Sequence, residues 1–435
     1  MIQTVVETFF HRRFAVLFFV VTIVIVPSPV SAQFNLQYFL QSAYTNSPQI
    51  NQYRNSAARA QLEKQLIDAE NSAPQLSLSA NYLFAPYFNN PGGLLSANPA
   101  PDAVGYDVGI TNGGLYSAQF NAEKNIFNGP IVTALNNEAS ARERSALNDI
   151  AAARHEIEKQ VIDQYLTTLL SLQVYRLEEE AIRYLKEEET ITAQLYSRGL
   201  IKQTDRLLLE IEIDNRQSDL SNLHAEYRTD LSQLYNLCGI TDTGEVAVDT
   251  VHLTVAPIAD SVHFEKKFEL DSIAAVNMQV VSENKYQPQV SLFFNTGLNA
   301  VELTGLQRKV GFSAGINFSY PLYDGGQRSI TRQQNELSLQ TISFYRKSTL
   351  LQVENNRAAA LSRIDVQRQN LENLHEQMKK YSTVLDISEQ ELQQGLISVV
   401  DYLTMVRNFI ELKKKLVTAE NNYQSTINDY NYWNW

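Results

Sequence analysis

Residues 371–404 read LENLHEQMKKYSTVLDISEQELQQGLISVVDYLT. Leu371, Met378, Leu385 and Leu392 recur every seven residues, and Leu374, Tyr381 and Ser388 fall between them at the alternate three-four spacing. This is a coiled-coil seam, an apolar stripe that needs a partner helix along its whole length. The seam stops at Gly395-Leu396-Ile397, and Asp401 follows six residues after the glycine.

The same signature stands 196 residues earlier. Leu170, Leu177, Tyr184 and Ile191 interleave with Val174, Ala181, Glu188 and Leu195, and the run ends at Gly199-Leu200-Ile201 with Asp205 beyond. Glu188 and Ser388 interrupt the two seams and are read as places where the packing loosens. Neither proline nor glycine occurs between Pro130 and Gly199, between Gly326 and Gly395, or after Gly395. Helix breakers are kept out of three long stretches. A helix over residues 131–197 would rise roughly 100 Å at the α-helical pitch.

The repeat extends upstream. Phe127-Asn128-Gly129 returns as Tyr323-Asp324-Gly325 at the offset of 196, and Pro74-Gln75-Leu76-Ser77-Leu78 returns as Pro288-Gln289-Val290-Ser291-Leu292 at an offset of 214. The extra 18 residues of the first half fall in a Gly-, Asn- and Pro-rich loop around Asn89 to Gly114. On either side of that loop the periodicity switches to two. Leu76, Leu78, Ala80, Tyr82 and Phe84 alternate with Ser77, Ser79 and Asn81; Tyr116, Ala118, Phe120 and Ala122 alternate with Ser117, Gln119, Asn121 and Glu123. In the second half Val290, Leu292, Phe294 and Leu298 oppose Ser291, Asn295 and Asn299, while Val310, Phe312, Ala314, Ile316, Phe318 and Tyr320 oppose Gly311, Ser313, Asn317 and Ser319. Four strands each carry one apolar and one polar face. If the apolar faces meet lipid, two hairpins cannot close a barrel alone, because open edges leave backbone groups unsatisfied, so the barrel must be shared between subunits. The competing reading is a soluble sheet whose apolar face packs on helices.

Composition excludes several classes. The chain has 435 residues, 44% hydrophobic and 19% charged, too apolar for disorder. A net charge of −12 repels phosphate backbones, so nucleic acid is not an expected partner. The single cysteine, Cys238, excludes an intrachain disulfide and reads as a small buried hydrophobe. His11, Arg12 and Arg13 precede an apolar run from Phe14 to Val26, then Val30-Ser31-Ala32, which reads as a signal peptide over 1–32 cleaved after Ala32; a retained anchor would need about 20 apolar residues. The histidines His11, His155, His224, His252, His263 and His375 lack metal-ligand spacing, and Gly325-Gly326 lacks the Lys-Ser/Thr of a phosphate loop. No catalytic constellation, metal site or cofactor is expected, and the chain is not read as an enzyme. Gly199 and Gly395 suit left-handed helix caps, and Leu200 and Leu396 follow them as exposed apolar residues.

Taken in order, these elements resemble the TolC-type outer-membrane efflux and secretion channels: an entry helix with Ala43, Asn46 and Pro48, two strand entries at Pro74 and Pro288, two aromatic-x-Gly strand exits, and two Gly-Leu-Ile turns followed by Asp. The resemblance implies a mainly α, mixed fold. Long coiled-coil helices would form a periplasmic α-barrel, and four strands per chain would enter one transmembrane β-barrel of a homotrimer. The first repeat would span 33–238, with a β-hairpin at 74–127 and a helical hairpin at 130–236. A linker or equatorial belt at 239–262 would lead to the second repeat at 263–435, with a β-hairpin at 288–323 and a helical hairpin at 326–430. The tips at Gly199, Leu200, Gly395 and Leu396 would meet a periplasmic adaptor of an inner-membrane pump. Asp401 matches an acidic ring of the pore constriction, and Thr204 and Asp205 match the partner side of a closing lock. The sequence departs from the family where Ile397 replaces a lock arginine and Thr404 replaces a second ring aspartate, so apolar contacts of Leu392 and Ile397 would hold a closed state. The implied barrel lumen is lined by Ser77, Ser79, Asn81, Ser117, Gln119, Asn121, Glu123, Ser291, Asn295, Ser313, Asn317 and Ser319. The expected function is passive conduction from an inner-membrane pump and adaptor to the exterior of a Gram-negative cell. The alternative is a periplasmic coiled-coil adaptor or scaffold that never enters the outer membrane.

Overall fold

The computed structural model describes residues 34–83, 87–89, 93–96, 104, 116–241, 244–259, 262–300 and 305–435. The expected signal peptide, Phe84 and most of the loop at 89–114 lie outside the described residues.

Local chemistry starts the first two helices. Asn35 caps α1 (Leu36–Asn46) by accepting from Tyr38 N, and Ser47 caps α2 (Pro48–Ser72) by accepting from Ile50 N, with Pro48 in the first turn. The long helix α3 (Gly129–Ser197) has 69 residues and the shorter α4 (Gln203–Cys238) has 36. After an extended segment the pattern returns as α5 (Phe264–Asn284), α6 (Gln327–Gln393, 67 residues) and α7 (Val399–Trp433, 35 residues). The short helices are tied to the long ones by charge: Lys64 Nζ lies 2.6 Å from Glu143 Oε2 between α2 and α3, and Glu283 of α5 pairs with Arg328 and Arg332 of α6. Among the described residues no helix is long and apolar enough to cross a membrane.

The seams are filled as the heptads require. Leu177, Ala181, Leu195, Leu385 and Leu392 are buried, and Leu371, Leu374, Met378 and Tyr381 are partly covered. Glu188 and Ser388 differ from expectation. Each is only 3% exposed, so the packing does not loosen there. Ser388 is held because its hydroxyl donates to the Val384 carbonyl at 2.8 Å and lies 2.7 Å from Met405 Sδ. Farther along α6, Leu337, Phe344, Tyr345, Leu351 and Val366 stay exposed, an apolar stripe with no partner helix among the described residues.

The segment at 244–259 runs extended across the helices. Backbone N–H groups of Leu253, Ala256 and Ala259 donate to the side-chain oxygens of Gln424, Asn431 and Asn434 on or next to α7, and the amides of Asn431 and Asn434 donate back to Thr254 and Pro257 carbonyls. Tyr165 of α3 donates to the Asp249 carbonyl at 2.7 Å, and Tyr227 of α4 to that of Val246. A segment with no ladder of its own finds its hydrogen bonds in side chains.

The strands β1 (Gln75–Tyr82), β4 (Tyr116–Ile126), β5 (Gln289–Ala300) and β6 (Val310–Ser319) form one antiparallel sheet in the order β1-β4-β5-β6. The two repeats therefore meet edge to edge through β4 and β5, while among the described residues β1 and β6 remain open edges. Within the interval read as a loop, β2 (Tyr87–Asn89) and β3 (Gly93–Ser96) pair as a small separate hairpin, which its Gly and Pro content concealed.

Candidate functional site

Register decides what the sheet presents. One face carries the rows Leu78–Phe120–Thr296–Phe312 and Leu76–Ala122–Phe294–Ala314; the other carries Ser79–Gln119–Gly297–Gly311 and Ser77–Asn121–Asn295–Ser313. All twelve residues expected to line a lumen fall on this second face. Asn121 Nδ2 donates to Ser79 Oγ at 2.7 Å across the first pair of strands. Eleven of the twelve are at least partly exposed, and Ser291 is buried. Glu123 is the one charged group among them. The opposite face is bare: Leu78 and Phe312 are each 79% exposed, so among the described residues no helix covers it, which speaks against a sheet packed on its own helices.

Besides Thr296 in the apolar row, two residues break the alternation. Phe293 lies on the polar face, between Glu123 and Gly315, and its ring occupies the space above Gly315, where an added Cβ would sit 2.5 Å from the Phe293 Cζ. Lys124 lies on the apolar face beside Leu292, close to the strand end, where its long stem can reach polar surroundings. Gly297 has φ of 146°, and a Cβ there would strike the Ala118 carbonyl oxygen, so β4 and β5 approach through a glycine.

The far ends of the helices form the second part of the site. Gly199 (φ 75°) and Gly395 (φ 70°) end α3 and α6 in the left-handed conformation. Leu200 N donates back to the Leu195 carbonyl and Leu396 N to that of Glu391, at 3.0 and 2.8 Å, which completes a Schellman cap at each tip. The caps leave Leu200 56% and Leu396 69% exposed, whereas Ile201 and Ile397 turn inward onto one apolar cluster. That cluster joins Leu185 of α3, Leu209 and Ile213 of α4, Leu392 of α6, and Val399, Tyr402 and Val406 of α7. Ile397, standing where the family resemblance would put an arginine, is thus a core contact alongside Leu392.

Asp205 and Asp401 have local tasks. Asp401 Oδ2 accepts from the Ser398 hydroxyl at 2.7 Å while the Asp401 N–H donates to Ser398 Oγ at 3.1 Å, a reciprocal cap at the start of α7. Asp205 accepts from Lys202 N at 3.3 Å at the start of α4. Thr204 and Thr404 are exposed, and Thr404 donates back to the Val400 carbonyl.

Sequence patterning missed the polar contacts between the two hairpins. Glu212 of α4, 8% exposed at its side chain, accepts from Arg407 of α7 at 3.0 and 2.5 Å and from Arg216 at 2.9 Å; Arg216 also reaches Glu178 of α3. Burial opposes ionisation of Glu212, but the hydrogen bond from Arg407 and the charges of both arginines outweigh it and hold the carboxyl below its ordinary value. The Tyr184 and Tyr402 hydroxyls form a close hydrogen bond between α3 and α7. Cys238 is fully buried, and burial pushes its thiol up to about 12, which removes it as a nucleophile. Among the described residues no cluster of His, Cys, Asp or Glu could hold a metal ion.

Residues 273–429 match the sequence profile of the family described as outer membrane efflux protein. No curated protein matches the chain in sequence. Solved structures share the fold over almost the whole chain. CusC matches with a TM-score of 0.72 and 14% identity over 93% of this chain and 92% of its own. The outer membrane protein VceC of Vibrio cholerae gives 0.70 and 16% over 92% and 95%. The CmeC outer membrane channel of Campylobacter jejuni gives 0.71 and 15% over 92% and 85%.

Proposed function

We propose that this chain, whose second half is an outer membrane efflux protein domain on the fold of outer-membrane channels, is one subunit of a homotrimeric duct. The duct carries solutes passively from an inner-membrane pump through the periplasm and the outer membrane. The observation that carries this reading is the sheet. It has one apolar and one polar face, both uncovered, and two open edges, and it stands at the end of helices roughly 100 Å long.

An isolated four-stranded sheet in lipid would leave the outer backbone groups of β1 and β6 unpaired, at several kcal/mol for each group. Three copies joined β6 to β1 would make twelve strands and remove every edge. The apolar rows would then face lipid and the serine and asparagine rows water. The exposed stripe on α6, from Leu337 to Val366, would be covered by a neighbouring copy in the same assembly. At the other end, three copies of the Leu200 and Leu396 tips would offer an adaptor apolar anchors. Asp401 and Asp205, with Thr204 and Thr404 beside them and Ile397 packed behind, would surround a constriction with negative potential that favours cations. No group at this site performs catalysis, and energy comes from the pump.

The test is the assembly state of the full chain purified in detergent and reconstituted in lipid. A stable trimer is expected. A monomer that keeps its full strand content in lipid refutes the shared barrel, and a protein that washes off the membrane without detergent returns the adaptor or scaffold reading.

A further inference from the structure

About 14 Å above the α3 tip, where the two helical hairpins pack together, lies a layer that the duct reading does not use. Glu188 of α3 sits in it with 3% of its surface exposed. One partner reaches its carboxyl, the Tyr402 hydroxyl of α7, while Oε2 is buried with no hydrogen-bond partner. Tyr402 is engaged on its other side by Tyr184 of α3. Around the layer, Ser388 bonds within α6 and toward Met405 of α7, and Thr192 bonds back to the Glu188 carbonyl, so neither hydroxyl serves the carboxyl.

The charges that face Glu188 share its sign. Glu389 acts from α6 and Glu187 from the neighbouring position on α3; α7 offers the neutral Tyr402, and α4 adds Leu209 and Ile213 to the adjoining cluster. Among the described residues, no cation is found acting on this carboxyl. The arginine of α7 that enters the interface, Arg407, is committed to Glu212. A carboxylate in this position is desolvated, half-satisfied and repelled, whereas the neutral acid is merely buried.

We propose that Glu188 is a proton-operated latch between the two helical hairpins: protonated, it lets α3 close on α6 and α7 above the tips, and ionised, it drives them apart. Burial first, then the Glu389 charge, raises this carboxyl to about 7 against the restraining hydrogen bond from Tyr402. The sign follows from that direction. The closed packing is fully supported below the ordinary carboxylate value of 4.5 and loses support as pH rises through about 7. The latch concerns packing within one chain and stands whether or not the sheets join in a barrel.

The experiment is amide hydrogen exchange on the purified full chain in detergent, with protection corrected for the intrinsic pH dependence of exchange. Protection over residues 181–195 and 399–410 should fall about tenfold or more between pH 5.5 and 8, while the belt at 244–259 stays constant. Glu188→Gln, which keeps the Tyr402 contact without a charge, should hold the acid-state protection at both pH values. Glu389→Gln, outside the buried layer, should move the wild-type midpoint to lower pH. A wild-type protein whose protection does not change, a Glu188→Gln variant that keeps the midpoint, or a Glu389→Gln variant that leaves it unmoved overturns the latch.

Discussion

Phe312 and Ser313 are neighbours in β6 and point to opposite faces of the sheet, so one substitution made at both positions separates lipid from water. Phe312 is 79% exposed, lies in the row with Leu78, Phe120 and Thr296, and stacks on Phe294 with centroids 6.3 Å apart. At about 3.4 Å per residue, the 11 residues of β4 and 12 of β5 extend roughly 37–40 Å, or about 28 Å in height at barrel tilt. This height spans an apolar band of about 25 Å, and the Phe312 row crosses its middle. Phe312→Arg should therefore cost about 2–4 kcal/mol for the buried charge and about 1 kcal/mol more for the lost aromatic pair, at least about a hundredfold loss in the folding equilibrium of each subunit. Ser313→Arg should cost under about 1 kcal/mol, because its side chain enters water. The assay is urea-dependent refolding into lipid vesicles, read as the fraction of heat-modifiable, folded protein on gels. Equal losses at the two positions, or a larger loss at Ser313, would refute the assignment of faces.

Gly297→Ala should destabilise the sheet by about 2–4 kcal/mol, since its Cβ would strike the Ala118 carbonyl, while Gly315→Ala should cost less because the Phe293 ring can swing aside; the same refolding titration ranks them. Arg407→Gln should weaken the union of α4 and α7 by about 1–2 kcal/mol at pH 7. Glu212 contributes stability above the ordinary carboxylate value and loses it as pH falls through its lowered value, so denaturation curves of wild type and variant should converge in acid. Changing Leu200 and Leu396 together to Asp should abolish pump-dependent export and leave the assembly intact; export at the wild-type level rejects them as anchors.

Patterns that repeat along one chain segment were legible. The heptads from Leu371 to Leu392 and the alternation through β1, β4, β5 and β6 each report which side of an element is covered, because burial imposes a fixed period on the sequence. The glycine caps were legible for a similar reason, as a left-handed residue after a long helix is seldom anything else. Contacts between elements from different repeats left no such trace. The Glu212–Arg407 pair joins residues 195 apart, and the Tyr184–Tyr402 pair joins residues 218 apart; each looks like an ordinary helical position until the hairpins are packed. Glu188 misled for the same reason: a charged residue in a seam suggests a gap, and only the surrounding side chains reveal an enclosed carboxyl. Phe293 broke a correct rule, because the missing side chain at Gly315 made room for a ring on the polar face.

The extended segment at 244–259 gives the molecule a fulcrum. Its bonds to Tyr165 on α3 and to amides on and beside α7 grip both hairpins at one level, and from Tyr165 to Ser197 the helix runs on for about 48 Å. A rod gripped at that level converts angle into travel. A tilt of about 10° would sweep each tip through about 8 Å while the grip itself and the sheet beyond it stay still. The molecule can thus be rigid where it is clasped and wide-ranging at its far end, with the displacement set by the length of the arm rather than by any softness in the helix.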